Sequence, residues 1–474
     1  MSSTLTISPV TRLEGHGKVT LHLNDYDEVE DARFHVVEFR GFEEFCKGRL
    51  LSDMPAITPR ICGICPVSHH LASAKACDDA WNVSIPPAAK KLRELMHMGQ
   101  FIQSHALHFF YLAAPDFVFG PSADPAQRNI VGLLKEDPEL GKKAIRLRQI
   151  GQNIIDLVGG RPIHPVSAIP GGMSKPLTMN QREQIARELE EALPLARLAL
   201  DFGKKIYVDY ADLVPEFAVF GSNYMGMVKD GDLELYDGLL RMIDETGFYL
   251  KFFDAVNYAD SIGEHVEDWS YLKFPYLLDK GWPEGAYRVG PLARLNVADN
   301  IATEHAGKEL TVFKKLGHGQ PVHETLYYHY ARLIELLYAT ERAAQLICDP
   351  DINSKEVRVP VKRQSGQGVS VLEAPRGTLI HHYWVDEMGK IEKANMIVAT
   401  THNNAMINRS VKEVAKAHVK GGKIEEGTLN LVEMAVRCYD PCLSCSTHAV
   451  GQMPMELQLF AADGSLVDRV ERGL

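Results

Sequence analysis

The sequence predicts an α+β fold that is mainly α, a central bundle of long helices with small β-sheets at its periphery. Two patterns carry this. Apolar residues recur at helical spacing through the middle of the chain, and short runs of apolar–polar alternation stand near both ends. At 474 residues the length exceeds one typical core, so two or three packed layers are expected.

Within 5–39 the runs 18–23 and 32–37 alternate around an Asn/Asp-containing connection, which predicts a hairpin in a small sheet. Beyond Pro87 the period changes. Leu92, Leu95, Met96, Gly99, Ile102 and Ala106 form one broad stripe continuing toward Phe110, the mark of a long buried helix. Glycine costs about 1 kcal/mol against alanine inside a helix, so Gly99 on the buried stripe predicts the close approach of another backbone. Gly159-Gly160-Arg161-Pro162 and Pro170-Gly171-Gly172 read as loops. Further helices are expected over 180–208, with a kink at Pro194, and over 323–348 and 427–438. Alternation returns between 357 and 397 around Arg376-Gly377-Thr378, and Asp386-Glu387-Met388-Gly389 predicts the turn of a second hairpin. The stretch 455–471, with Ala462-Asp463-Gly464 as its turn, predicts a terminal hairpin.

Net charge is -11, the pI is near 6.0, and no basic block is interleaved with aromatics, so a nucleic-acid partner is not expected. No apolar run approaches the roughly eighteen residues of a membrane span. The amino terminus lacks a basic-then-apolar signal, and a cytoplasmic location is expected.

Of eight cysteines, Cys46, Cys77, Cys348 and Cys438 are scattered, without the spacing of a disulfide framework or of an iron–sulfur cluster. The other four form two pairs near opposite ends, Cys62-Gly63-Ile64-Cys65 and Cys442-Leu443-Ser444-Cys445, each followed within four residues by a histidine, His69 and His448. Each Cys-x-x-Cys step lets two sulfurs converge on one ion, and two steps supply four soft ligands for a thiophilic transition metal. A structural zinc site is the common reading of such pairs. Zinc ribbons, however, fall within one short segment, whereas nearly the whole chain separates these pairs. A thioredoxin-like redox pair is a second reading, and it leaves the other pair unexplained.

The neighbouring residues separate these readings. Arg60-Ile61-Cys62-Gly63-Ile64-Cys65 with His69, and Asp440-Pro441-Cys442-Leu443-Ser444-Cys445 with His448, resemble the two signatures of the large subunit of nickel-iron hydrogenases. The resemblance extends over essentially the whole chain through Pro9-Val10-Thr11-Arg12-Leu13-Glu14-Gly15-His16, Arg40-Gly41-Phe42-Glu43, Ser104-His105-Ala106-Leu107 through Asp116, and Glu373-Ala374-Pro375-Arg376-Gly377. Wording around Pro66-Val67-Ser68-His69-His70 and Ser444-Cys445-Ser446-Thr447-His448 is most similar to the cytoplasmic, bidirectional, NAD-reducing type.

Splitting hydrogen into hydride and proton needs an electrophilic metal for the one and a nearby base for the other. The resemblance implies a Ni-Fe(CO)(CN)2 centre with Cys62 and Cys442 as terminal nickel ligands and Cys65 and Cys445 bridging nickel to iron. It implies that a proton passes from Cys442 to Glu14. Arg376 would overhang the metals, held in place by Asp116 and Asp440. Thr400, with the Pro375 stretch, would line the cyanide and carbon monoxide ligands, although Ala399 stands where many relatives carry proline. Glu43, the Met396 carbonyl and His448 would hold Mg2+. His16 and His69 lie beside motif residues and could position protons or thiolates, a satisfied buried histidine being the more common role of either one alone, and His97, His105 and His108 are read as packing residues near Asp116. The domain reading is a catalytic domain over 1–448, with a β-hairpin region at about 1–50, a helical core at about 85–350 and a mixed β/α region at about 355–448. Residues 449–474 are read as a carboxyl-terminal maturation extension.

The chain has neither cluster cysteines nor a Gly-x-Gly-x-x-Gly loop after a strand, so its electrons need a partner. The resemblance implies a small iron–sulfur subunit, flavin/NAD diaphorase subunits and a maturation endopeptidase, with H2 as substrate. The alternatives are a hydrogenase using a deazaflavin or ferredoxin, a non-catalytic quinone-site subunit like that of complex I, whose members lack the paired thiols, and a zinc-stabilised scaffold.

Overall fold

A computed structural model describes residues 4–36, 41–420 and 425–446, together with the strand backbones 455–460 and 466–472. The amino-terminal sheet runs β1 (Thr4–Ile7), β2 (Gly17–Leu23) and β3 (Val29–Val36), antiparallel in that order, with Lys18 opposite His35 and Thr20 opposite Arg33. Its buried face is the alternating set Val19, Leu21, Phe34 and Val36, the pattern that predicted it. Then come α1 (Phe42–Cys46), the 3-10 turn Thr58–Ile61 and α2 (Pro66–Ala80).

The centre is helical. α3 (Pro87–Leu107) buries Leu92, Leu95, Met96, Gly99, Ile102 and Ala106 as predicted, and continues through a wider turn, His108–Ala113, into α4 (Ala114–Val118). α5 (Pro138–Gly159) crosses α3 where two glycines meet. A Cβ on Gly99 would lie 3.0 Å from the Gly151 carbonyl oxygen, and one on Gly151 would lie 2.5 Å from the Gln103 nitrogen. Gly160 (φ +79) caps α5, and Pro170-Gly171-Gly172 turns between strands Ala168–Ile169 and Gly172–Met173. α6 (Met179–Asp209) begins at a capping box, Thr178 with Gln181, and is one helix through Pro194.

Strands interrupt the helical core expected over 85–350. β4 (Asn223–Lys229), β5 (Leu239–Ile243) and β6 (Tyr249–Phe253) are antiparallel neighbours, and β7 (Tyr287–Arg288) adds in parallel to β4. β4 is buried at six of its seven residues, so it shows no alternation by which to predict it. After α7 (Pro291–Val297), α8 (Tyr327–Cys348) starts four residues later than expected at 323, because Glu324 bridges to Val219 and Thr325 donates to the Ala218 carbonyl in extended backbone.

The returning alternation forms a three-stranded antiparallel sheet, β8 (Gly366–Ala374), β9 (Gly377–Val385) and β10 (Ile391–Ile397). Its first turn carries Pro375 and Arg376. Its second is the predicted Asp386–Gly389 turn, where Asp386 accepts from the Met388 and Lys390 amides at 2.8 Å. α9 (Asn404–His418) and α10 (Glu426–Cys438) lead to the second thiol pair. Strands β11 (Met455–Phe460) and β12 (Leu466–Arg472) pair as the terminal hairpin predicted, and its turn lies outside the described residues. Among the described residues no helix is long and apolar enough to cross a membrane.

Candidate metal centre

The two thiol pairs meet. Cys62 follows the 3-10 turn in extended backbone and Cys65 stands at the N-terminus of α2, while Cys442 and Cys445 flank the start of the short helix Leu443–Ser446. Cys62 Sγ lies 3.2 Å from Cys442 Sγ, Cys65 Sγ 3.1 Å from Cys445 Sγ, and Cys442 Sγ 2.8 Å from Cys445 Sγ. All four sulfurs fall within 4.8 Å of one another, and all four residues are buried. Burial, then the crowding of neighbouring thiols, pushes Cys442 and Cys445 well above the ordinary thiol range, while Cys62 is drawn well below it by hydrogen bonds from the other three. A metal ion at their centre would displace the protons that burial otherwise keeps on these sulfurs. As soft, buried, convergent donors they fit nickel and iron.

The amino-terminal segment closes the cage from one side. Glu14 and Cys442 form a parallel backbone bridge, the Leu443 amide donates to the Glu14 carbonyl (3.1 Å), and the Ser444 amide donates to Glu14 Oε2 (3.0 Å). Gly15 has φ +87, and a Cβ there would lie 2.7 Å from Leu443 Cβ, so the strand can approach this closely only as glycine. The carboxylate of Glu14 therefore lies beside the thiol pair.

Arg376 covers another side. It is 3 % exposed, donates from Nε to the Asp440 carbonyl (2.6 Å) and from Nη2 to Asp440 Oδ1 (2.9 Å), and its Nη1 reaches Ser104 Oγ (3.4 Å). Burial opposes its charge, but Asp440 and then Cys442, Cys65 and Cys62 more than restore it. Burial raises Asp440 to about 6 against the pull of Arg376 and Arg332. The expectation that Asp116 shares in holding Arg376 is corrected. Asp116 is bound by Arg12 and Arg437 and accepts from Asn430 Nδ2 (3.0 Å), so its carboxylate joins the amino-terminal segment to α10.

The turn beneath Arg376 is fastened by a residue that no sequence pattern marks. Arg294, fully buried on α7, donates to Glu373 Oε2 (2.7 Å), the Ala374 carbonyl (2.8 Å) and the Pro375 carbonyl (3.1 Å), and is gripped by Glu335 through Nε and Nη2 at 2.6 and 2.7 Å. A buried guanidinium paired on both forks is stable only with such full satisfaction. A lone arginine in a helix carries no signal of this in sequence.

Thr400 is buried, and its oxygen accepts from the Cys442 amide at 2.9 Å, leaving its hydrogen to donate elsewhere. Glu43 accepts from the Met396 amide at 2.8 Å, and burial pushes its carboxyl up to about 7, the state a hard cation would reverse. His448 lies outside the described residues. Among the histidines, His69 lies on the cage with Nε2 3.4 Å from Cys445 Sγ. His16 is exposed rather than buried. Nor do the three helix histidines gather at Asp116: His97 meets the Glu373 carbonyl, His105 meets Glu335, and His108 meets the Arg437 carbonyl.

Comparison with known proteins agrees with this geometry. The family described as nickel-dependent hydrogenase matches residues 40–135 and 250–448, and one described as HoxL-like matches residues 4–39. The chain is 44 % identical over 475 residues to an F420-non-reducing hydrogenase of Methanothermobacter thermautotrophicus, covering 98 % of this chain and 99 % of that one. It is 43 % identical over 489 residues to the beta chain of the NAD-reducing hydrogenase HoxS of Cupriavidus necator, covering the whole of both. A solved NAD+-reducing NiFe hydrogenase in the H2-reduced state superposes with a TM-score of 0.92 at 45 % identity, over 94 % of this chain and 99 % of that one. The Ni-Fe-Se hydrogenase of Desulfovibrio vulgaris Hildenborough gives 0.77 at 25 %, over 94 % and 100 %.

Proposed function

The chain belongs to the nickel-dependent hydrogenases, as their large, catalytic subunit, and from that membership we propose a site-by-site account of how it cleaves H2 and where the electrons go. The observation that carries it is the meeting of Cys62, Cys65, Cys442 and Cys445 in one buried cage. These four would hold a Ni-Fe(CO)(CN)2 centre through their sulfurs. When bound, that centre supplies the electrophile that makes heterolytic cleavage of H2 possible.

The chain's own residues manage the proton and the field. Cys442 receives the proton on its sulfur and Glu14, bridged to it through the backbone, takes it onward. Arg376, fixed by Asp440, presents a permanent positive charge over the cage, which favours the anionic side of the separated charges. Thr400 gives its free hydroxyl hydrogen to a diatomic ligand, and Pro375 shapes the wall of that pocket. Asp116 contributes by locking Arg12, two residues before Glu14, to the helix that leads to the second thiol pair. A magnesium ion on Glu43, the Met396 carbonyl and His448 would tie the carboxyl end of the catalytic domain, 1–448, into the fold.

Electrons leave through partners, because among the described residues the cysteine cage is the one group of metal-ligating side chains so gathered. We assign the acceptor as NAD, reached in the cytoplasm through flavin/NAD diaphorase subunits and a small iron–sulfur subunit; the likeness to NAD-reducing hydrogenases supports this. The equal likeness to F420-non-reducing hydrogenases favours a second reading, a different partner and acceptor. Residues 449–474 would be removed by a maturation endopeptidase once nickel is in place. The test is hydrogen-dependent NAD reduction by the purified complex and by this chain in isolation. Activity in the complex and none in the single chain is expected, with the loaded chain's mass ending near His448. NAD reduction by the single chain would overturn the need for partner subunits, and a complex that reduces only another acceptor would overturn the NAD assignment.

A further inference from the structure

His69, the imidazole on the cage, begins a line of buried polar groups that the chemistry above leaves unused. His69 and Ser73 stand one turn apart on α2, and His381 and Tyr383 two residues apart on β9, so helix and strand offer these side chains to one seam. Thr58 adds a hydroxyl from the 3-10 turn. All five are 0 to 1 % exposed. Outward from Cys445 Sγ, the contacts are His69 Nε2 (3.4 Å), His69 Nδ1 to His381 Nε2 (3.1 Å), His381 Nδ1 to Tyr383 Oη (2.8 Å), Tyr383 Oη to Ser73 Oγ (2.7 Å) and Ser73 Oγ to Thr58 Oγ1 (2.7 Å). His381 Nδ1 also lies 3.1 Å from Ser73 Oγ.

We propose that His381, backed by Tyr383 and Ser73, is a positioning residue that fixes the tautomer of His69 so that its Nε2–H points at the Cys445 sulfur. This rests on the reading of Cys445 as a metal ligand. A neutral imidazole has one N–H and one lone pair, and a metal-held thiolate accepts hydrogen bonds but donates none. His69 must then carry its proton on Nε2 and accept at Nδ1. That acceptance calls for an N–H on His381 Nε2, which leaves His381 Nδ1 to accept from one of the two hydroxyls beside it, Tyr383 (2.8 Å) or Ser73 (3.1 Å). Either hydroxyl gives the same order onward: each hydrogen from it to the sulfur points the same way, and aligned hydrogen bonds polarise one another. The opposite polarity would set the His69 lone pair against a thiolate. His381 thus acts on the metal centre through His69, drawing electron density from the Cys445 sulfur by a steady amount.

The test is infrared spectroscopy of the carbon monoxide and cyanide stretches of the assembled hydrogenase carrying His381→Leu, His381→Gln or Tyr383→Phe. Glutamine replaces both ends of the imidazole, its amide N–H donating to His69 and its carbonyl accepting from Tyr383. The bands are expected at lower wavenumber in His381→Leu and Tyr383→Phe, as sulfur regains electron density, and back at the wild-type position in His381→Gln, with nickel content unchanged. Unmoved bands in the Leu and Phe variants, or a Gln variant displaced as far as Leu, would overturn the positioning role. If His381→Leu does not assemble, Tyr383→Phe combined with Ser73→Ala, which removes both hydroxyls within reach of His381 Nδ1, decides. A wild-type spectrum without such bands would instead overturn the metal-centre reading and this proposal with it.

Discussion

At the residue scale the site divides into groups whose chemistry the local sequence announces and groups that only the closed fold gathers. The Cys-x-x-Cys steps announce themselves, since two sulfurs three residues apart can share an ion whatever surrounds them. Glu14, Arg376 and Asp440 are legible through the motifs around them. Arg294, Ser73, His381 and Tyr383 are not, because each acquires its role from a partner on a distant element: Arg294 from the 373–375 turn, His381 from α2. Asp116 shows the same limit. Its motif position is readable, but its guanidinium partners, Arg12 and Arg437, come from the two ends of the chain. Glu14 can be tested without disturbing the cage, because Glu14→Gln retains an oxygen to accept the Ser444 amide while losing the ability to carry a proton. Hydrogen oxidation should fall by about 10²-fold or more with nickel content unchanged, the size usual for loss of a positioned acid–base group. Unaltered turnover in that variant would remove Glu14 from the proton path.

At the element scale, periodicity finds what has a clean period. The α3 stripe and its glycine predict a close backbone neighbour, and α5 is that neighbour at Gly151. α5 itself is not among the predicted helices, although its burial of Leu147, Ile150, Ile154 and Val158 follows helical spacing. The sheet β4 to β7 escapes prediction for the opposite reason: strands buried on both faces lose the alternation that reveals strands. Gly151→Ala tests the crossing. Its methyl would press on the Gln103 backbone nitrogen at 2.5 Å, so the substitution should cost about 1–3 kcal/mol, as overpacking does, despite the better helix propensity of alanine. Denaturant melts of the two proteins would show it, and equal or higher stability would mean that the helices do not cross so closely.

At the scale of the whole molecule, the fold brings segments far apart in sequence, around Glu14, Cys62 and Cys442, to one interior point, and its buried histidines make that closure sensitive to acid. Burial holds His70, His97 and His105 at about 4 and His402 at about 3, all below the ordinary value of 6.5. The unfolded chain takes up protons near 6.5 that the folded chain refuses until about 4, so stability is full above 6.5 and is lost as pH falls through that window. Urea midpoints between about pH 7.5 and 4.5 should therefore decline with acid, and a flat profile would show that burial does not keep these histidines neutral in the folded chain. Hydrogen chemistry in this fold requires the four sulfurs to grip nickel and iron, and metal analysis combined with infrared spectroscopy of the purified, loaded protein measures that directly. Nickel and iron in equal amounts, with carbon monoxide and cyanide stretching bands, is the predicted result; zinc alone, with no such bands, would contradict it.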